Sequence, residues 1–166
     1  DFKNYLETIN RQIQDIEKLV SEFSNFARMP SPVMKNINIY LVLKRAVDFI
    51  RMSTDSNIVL KGLDPKHKIK GDEEQLYRVF INLIKNSEES FLEKREKQAN
   101  FKGKIDIEIK ENNDYIDIKL TDNGIGIVDT KKVMTPYFTT KKKGTGLGLP
   151  IVSKIINEHS GEFILS

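Results

Sequence analysis

From Phe2 to Arg28 the apolar positions are Leu6, Ile9, Ile13, Ile16, Val20, Phe23 and Ala27, in alternating steps of three and four. That spacing is a coiled-coil seam, narrower than the apolar stripe of a helix docked on a globular core. Glu7, Arg11, Gln12, Asp15, Glu17 and Lys18 fill the solvated face between. The pattern predicts a long helix belonging to an intermolecular or two-domain bundle. Pro30 and Pro32 stop it, because the residue before a proline is pushed out of the α region.

After Pro32 the pattern changes. Ile37–Ile39 reads as a short extended stretch, and Leu41, Leu43, Ala46, Val47 and Ile50 as a helix of about three turns. Residues 57–61 and 67–70 read as short strands around a turn at Gly62–Pro65. Asp72 is a good N-cap for a long helix from Glu73 to about Gln98, with Leu76, Val79, Phe80, Leu83 and Ile84 on its apolar face. Ile105, Ile107 and Ile109, then Ile116, Ile118 and Leu120, alternate with polar residues about Asn112-Asn113-Asp114, a hairpin with one buried face. A glycine-rich stretch from Asp122 to Gly144 reads as loop. A last helix is predicted over about Leu147–Glu158, ending near Gly161, and Glu162–Ser166 reads as the start of a strand. Two units follow: a helical arm over 1–32 and an α+β domain over 33–166.

Composition narrows the class. The 166 residues are 39% hydrophobic and 31% charged, which excludes a disordered chain or a collagen-like repeat. With no cysteine there is no disulfide, thiolate metal site or cysteine nucleophile. Two histidines, His67 and His159, exclude a histidine-rich metal site. A net charge of +3 with lysines scattered among acids gives no nucleic-acid footprint. No apolar run approaches the roughly 18 residues of a membrane span. A first residue inside a predicted helix and an unpartnered last strand read as a piece of a longer protein.

Three motifs carry chemistry. Asn82 and Asn86 sit four apart on the long helix and share a face, offering amide oxygens suited to a hard cation such as Mg²⁺. Asp122-Asn123-Gly124-Ile125-Gly126-Ile127 places a carboxylate at a strand end, able to accept from an exocyclic amine, before glycines that let backbone pass close to a flat ligand. Gly144-Thr145-Gly146-Leu147-Gly148-Leu149 opens a helix, so its backbone N–H groups can meet an anion, with Lys141–Lys143 just upstream. It is neither a dinucleotide fingerprint nor a Walker A loop, since no βαβ unit brackets it and no Gly-Lys-Ser/Thr ends it.

In this order the motifs resemble the GHKL nucleotide-binding superfamily (gyrase, the 90-kilodalton chaperone, histidine kinases, MutL), and most of all the catalytic domain of sensor histidine kinases. Asn82–Ser90 resembles the N box, Asp122–Ile127 the G1 box, Pro136-Tyr137-Phe138-Thr139-Thr140-Lys141 the F box and Gly144–Leu149 the G2 box. The short lid after Phe-Thr-Thr-Lys is similar to the nitrogen-regulation (NtrB/NtrY) type. The resemblance implies a two-layer α/β sandwich of the Bergerat type, ATP and Mg²⁺ as cofactors, and a homodimer through the arm, which resembles the second helix of a dimerisation hairpin. It further implies a response regulator receiver domain as partner. The implied location is cytoplasmic, with any membrane anchor in parent-protein regions outside this chain.

The resemblance also assigns roles. Asp122 accepts from the adenine amine. Asn86 coordinates Mg²⁺, with Asn82 on the same face. Gly124 and Gly126 let the chain pass the base and ribose. Thr140, Lys141, Gly144, Thr145, Gly146, Leu147 and Gly148 form the lid and phosphate cradle, with Phe138 as its anchor. ATPase members carry a glutamate at the position of Asn82, and an amide cannot act as that base, so transfer to a protein histidine is implied over hydrolysis. Neither histidine here has a phosphoacceptor context, so that histidine is expected elsewhere in the parent. Ser87 stands where alanine is common, and Glu89 where many sensor kinases have lysine. The competing readings are a GHKL kinase or ATPase with another acceptor, and a nucleotide-binding dimerisation module without catalysis.

Overall fold

Short polar side chains set where the helices begin. In the computed structural model, which describes residues 1–62, 66, 68–136 and 146–166, helix α1 spans Phe2–Ala27 and buries none of its residues. Leu6, Ile9, Ile13, Ile16 and Val20 stand exposed along it, and only Phe26, near its end, packs against the core. Asn38 caps α2 (Ile39–Arg51), its side chain accepting the N–H groups of Tyr40 and Leu41. Asp72 caps α3 (Glu73–Lys97) in the same way. Glu73 and Glu74 in its first turn and Lys94, Arg95 and Lys97 in its last oppose the helix dipole.

The strands differ from the sequence expectation in their partners. Strand β1 is Lys35–Ile37 and ends one residue before the Asn38 cap, so Ile39 opens a helix and does not extend the strand. The strands expected around Gly62 exist, as β2 (Asn57–Lys61) and β3 (Ile69–Gly71), but they do not pair with each other. β3 runs antiparallel to β1. β2 runs parallel to β4 (Lys104–Glu111), with α3 in the crossover between them. β4 also pairs antiparallel with β5 (Ile116–Asp122), so β4 is central in the order β2-β4-β5.

That position explains the burial. Ile105, Ile107 and Ile109 of β4 are buried, whereas Ile116, Ile118 and Leu120 of β5 are only partly so. The β4 residues share one buried core with Val42, Leu43, Ala46, Val47 and Ile50 of α2 and Leu76, Val79, Phe80, Ile84 and Phe91 of α3. Ile151, Val152 and Ile155 come from α5 (Gly148–Glu158). Each such side chain contributes about 1.5–3 kcal/mol on full burial. Helices on one face of a sheet make the expected two-layer sandwich.

Two smaller differences concern the expected loops. A single-turn helix α4 (Thr130–Val133), capped by Asp129, lies in the stretch read as loop. Glu162–Ser166 makes no strand pairing among the described residues. Helix α5 ends at Glu158 with the expected double capping: Ser160 N–H donates to Asn157 O and Gly161 N–H to Ile156 O. The left-handed residue of that motif, however, is Ser160 (φ 57°) and not Gly161.

Candidate functional site

Helix α3 lies along the loop that leaves β5, and one face of the helix holds that loop. Ser87, Ser90 and Lys94 recur at helical spacing on this face. Ser87, only 3% exposed, donates its hydroxyl proton to Asp122 Oδ2 at 2.7 Å. Asp122 Oδ1 accepts the N–H of Gly124 at 2.9 Å. Both carboxylate oxygens are thereby fixed, and each keeps lone-pair capacity for a further donor. Ser90 Oγ accepts the N–H of Ile125 at 3.3 Å. Lys94 Nζ donates to the carbonyls of Asn123 (2.6 Å) and Gly124 (3.1 Å) and stands 4.7 Å from the centre of the Phe101 ring.

Asn123 ties the other side of the loop down. Its Oδ1 accepts from Lys104 N–H at 2.8 Å and its Nδ2 donates to Lys102 O at 3.1 Å. The close approach of loop and helix demands glycine at one point. A Cβ on Gly124 would lie 1.6 Å from Ser90 Oγ and 2.9 Å from Asp122 Oδ1. Gly126 has a different reason: its φ is +77°, and no atom of the described residues would lie within 4 Å of a Cβ there.

The amide pair lies further toward the N-terminus of α3. A Cβ on Gly148 would stand 3.7 Å from both Nδ2 and Oδ1 of Asn86, so that amide faces the first residue of α5. Asn82 Nδ2 is buried and has no hydrogen-bond partner among the described residues. Leu147, the N-cap residue of α5, has no side-chain oxygen to cap the first turn, and Gly146 before it is left-handed at φ +73°. A helix start with no side-chain cap suits an anion. The structure thus brings Asn86 to Gly148 and holds Asp122 and the loop at Gly124 against the same helix, α3. Thr140, Lys141, Gly144 and Thr145, with Phe138, lie outside the described residues.

Neighbouring acids are engaged elsewhere. Glu88 Oε2 accepts the hydroxyls of Thr54 (2.9 Å) and Ser56 (3.0 Å), which holds it against the α2–β2 connection. No group of three or more His, Cys, Asp or Glu among the described residues could hold a metal. A cation here would rest on amide oxygens, water and ligand phosphates, which suits Mg²⁺.

The profile of the histidine kinase-, DNA gyrase B- and HSP90-like ATPase family matches residues 71–166, from the start of α3 through all the motifs. The chain belongs to this family. Membership in this ATPase family implies ATP use. The chain is 37% identical over 97% of its length to a putative NtrY-like sensor histidine kinase of Rickettsia conorii, covering 26% of that protein. It is 32% identical over 96% of its length to the nitrogen regulation protein NtrY of Azorhizobium caulinodans, covering 21% of it. Sporulation kinase E of Bacillus subtilis is 30% identical over 99% of the chain, which covers 22% of that kinase. The chain therefore spans about a quarter of the length of these relatives.

Solved structures agree on the family fold. The mycobacterial sensor histidine kinase MprB matches with a TM-score of 0.60 at 19% identity, over 77% of this chain and 81% of that one. The catalytic domain of the histidine kinase ThkA matches with a TM-score of 0.56 at 24% identity, over 76% and 82%. Within this family architecture, Ser87, Ser90, Lys94 and Asn123 are the contributors that sequence reasoning missed. Ser87 stood out only as a departure from alanine, Ser90 and Asn123 lay inside the motifs with no role assigned, and Lys94 was not singled out, because their partners are 19 to 35 residues away.

Proposed function

We propose that this chain is the ATP-binding catalytic region of an NtrY-like sensor histidine kinase. In this reading it passes the γ-phosphoryl group of ATP to a histidine of a dimerisation hairpin, for relay to an aspartate of a response regulator. The observation that carries the reading is the convergence on α3: Asn86 faces the start of α5, and Ser87 holds Asp122. Base reader, amide pair and phosphate cradle then share one scaffold.

Asp122 accepts from the adenine amino group, and Gly124 and Gly126 admit the base. The start of α5 receives phosphate on its backbone N–H groups. Asn86 would hold Mg²⁺, with Asn82 beside it, and the ion would supply charge neutralisation at the phosphates. The chain's contribution to transfer is positioning and electrostatics. Position 82 carries an amide, which cannot serve as a base for water, and Glu88 is engaged by Thr54 and Ser56.

Residues 1–32 form the arm and 33–166 the catalytic domain. The exposed seam Leu6, Ile9, Ile13, Ile16 and Val20 supports a partner helix and a homodimer. No helix among the described residues is long and apolar enough to cross a membrane. The domain works in the cytoplasm, any anchor lying in other regions of the parent.

The test is phosphotransfer in trans. The chain, Mg²⁺ and γ-labelled ATP are mixed with a dimerisation hairpin of an NtrY-like kinase. Acid-labile, base-stable label on the hairpin, lost in Asp122→Ala and Asn86→Ala, is the expected result. Release of phosphate without label on the hairpin would assign the chain to the ATPase branch.

A further inference from the structure

We infer that Ser87 is a positioning residue that acts through Asp122 and sharpens the preference for a purine bearing a 6-amino group. The inference rests on the nucleotide reading above and deepens it. Its basis is geometric. Ser87 is almost fully buried, yet its single hydroxyl proton has a clear destination: Asp122 Oδ2 at 2.7 Å, against Leu83 O at 3.5 Å. A hydroxyl-to-carboxylate bond of that length is of the strong, charge-assisted kind.

A carboxylate at the end of a strand can turn about χ2. The Gly124 N–H alone holds one oxygen and leaves the plane of the group free to tilt. The Ser87 bond fixes the second oxygen from a buried position on α3. The remaining lone pairs then have one direction. A donor that matches that direction meets a preorganised acceptor and pays no ordering cost, whereas a ligand without the donor gains nothing.

Removing the hydroxyl leaves the fold intact on physical grounds. Alanine fits the space, favours the helix, and leaves Asp122 open to water, since Asp122 itself is exposed. The experiment compares ATP with purine riboside triphosphate, which lacks the 6-amino group, by calorimetry with Mg²⁺ on the wild-type chain, Ser87→Ala, Asp122→Ala and the double variant. The wild type should prefer ATP. Ser87→Ala should weaken ATP by about tenfold and the deamino analogue by less than about twofold, with a cooperative unfolding transition retained. In the Asp122→Ala background Ser87→Ala should alter neither nucleotide.

Equal losses for both nucleotides, or a loss that persists without Asp122, would mark Ser87 as a packing residue and overturn the inference. A wild type that binds both equally would overturn it while leaving the nucleotide site standing. A wild type that binds neither would remove the nucleotide reading and the inference together.

Discussion

The imidazole Nε2 of His159 accepts the backbone N–H of Asp72 at 2.9 Å, joining the end of α5 to the start of α3 across 87 residues of sequence. The second ring nitrogen, Nδ1, stands 2.7 Å from Ile155 O. The two contacts together require the neutral Nδ1–H tautomer. Asp72 then uses its side chain in two more directions, capping α3 through Oδ1 and accepting Val33 N–H through Oδ2 at 2.8 Å. Gln75 Nε2 donates to Pro30 O at 2.9 Å beside it. The segment that leaves the arm is thus pinned where the two helix ends meet.

Replacing His159 tests that junction. His159→Ala leaves the Asp72 N–H without its acceptor in a partly buried place. The expected cost is about 1–2 kcal/mol by chemical denaturation, with faster hydrogen exchange of the Asp72 amide than of the α3 interior. Unchanged exchange at Asp72 would count against the bond.

The cap carries a pH signature. Burial pushes the Asp72 carboxyl upward, but the N–H groups of Val33, Gln75 and Glu74 outweigh it and hold the group below its ordinary value of 3.8. Between the lowered native value and 3.8 the unfolded chain binds more protons than the native one, so this contribution is present above 3.8 and is lost as pH falls through the native value. Asp72→Ala should cost about 1–2 kcal/mol at neutral pH. That difference should shrink on acidification, as measured by denaturation from pH 7 to pH 2.

Gly124→Ala should damage the site more than any cap. Its Cβ would lie within 1.6 Å of Ser90 Oγ, so α3 and the loop must part. Nucleotide binding should fall by at least about tenfold, with a stability loss of about 1–3 kcal/mol. Adding Ser90→Ala removes the nearest atom and should restore part of both, readable by calorimetry and thermal melting.

Ser160→Gly should stabilise the chain. Ser160 holds the left-handed position after α5, at φ 57°, where a Cβ is unfavourable. Glycine there should add up to about 1 kcal/mol to unfolding stability without altering nucleotide affinity. A loss of stability would show that the serine side chain has a use at that turn.

Much of the architecture could be read from local pattern. Asp72 caps where a short polar residue precedes an apolar period, and the isoleucines of β4 alternate as a strand with one buried face must, whereas the Asn38 cap lay inside a stretch read as extended. The order of the boxes carried the family. Pairing was not legible in the same way: β2 and β3 are close in sequence and look like a hairpin, yet each pairs elsewhere, because a short alternating run names a face and not a partner.

Local pattern was enough for α1, α2, α3 and α5, the Asp72 cap and the core isoleucines of β4, since each depends on neighbours within a few positions. Only the tertiary structure decided that Ser87, Ser90 and Lys94 grip the Asp122–Ile125 loop and that His159 closes on Asp72. Those are single hydrogen bonds between distant segments, and a polar side chain on a helix has the same local pattern whether it faces water or a carboxylate.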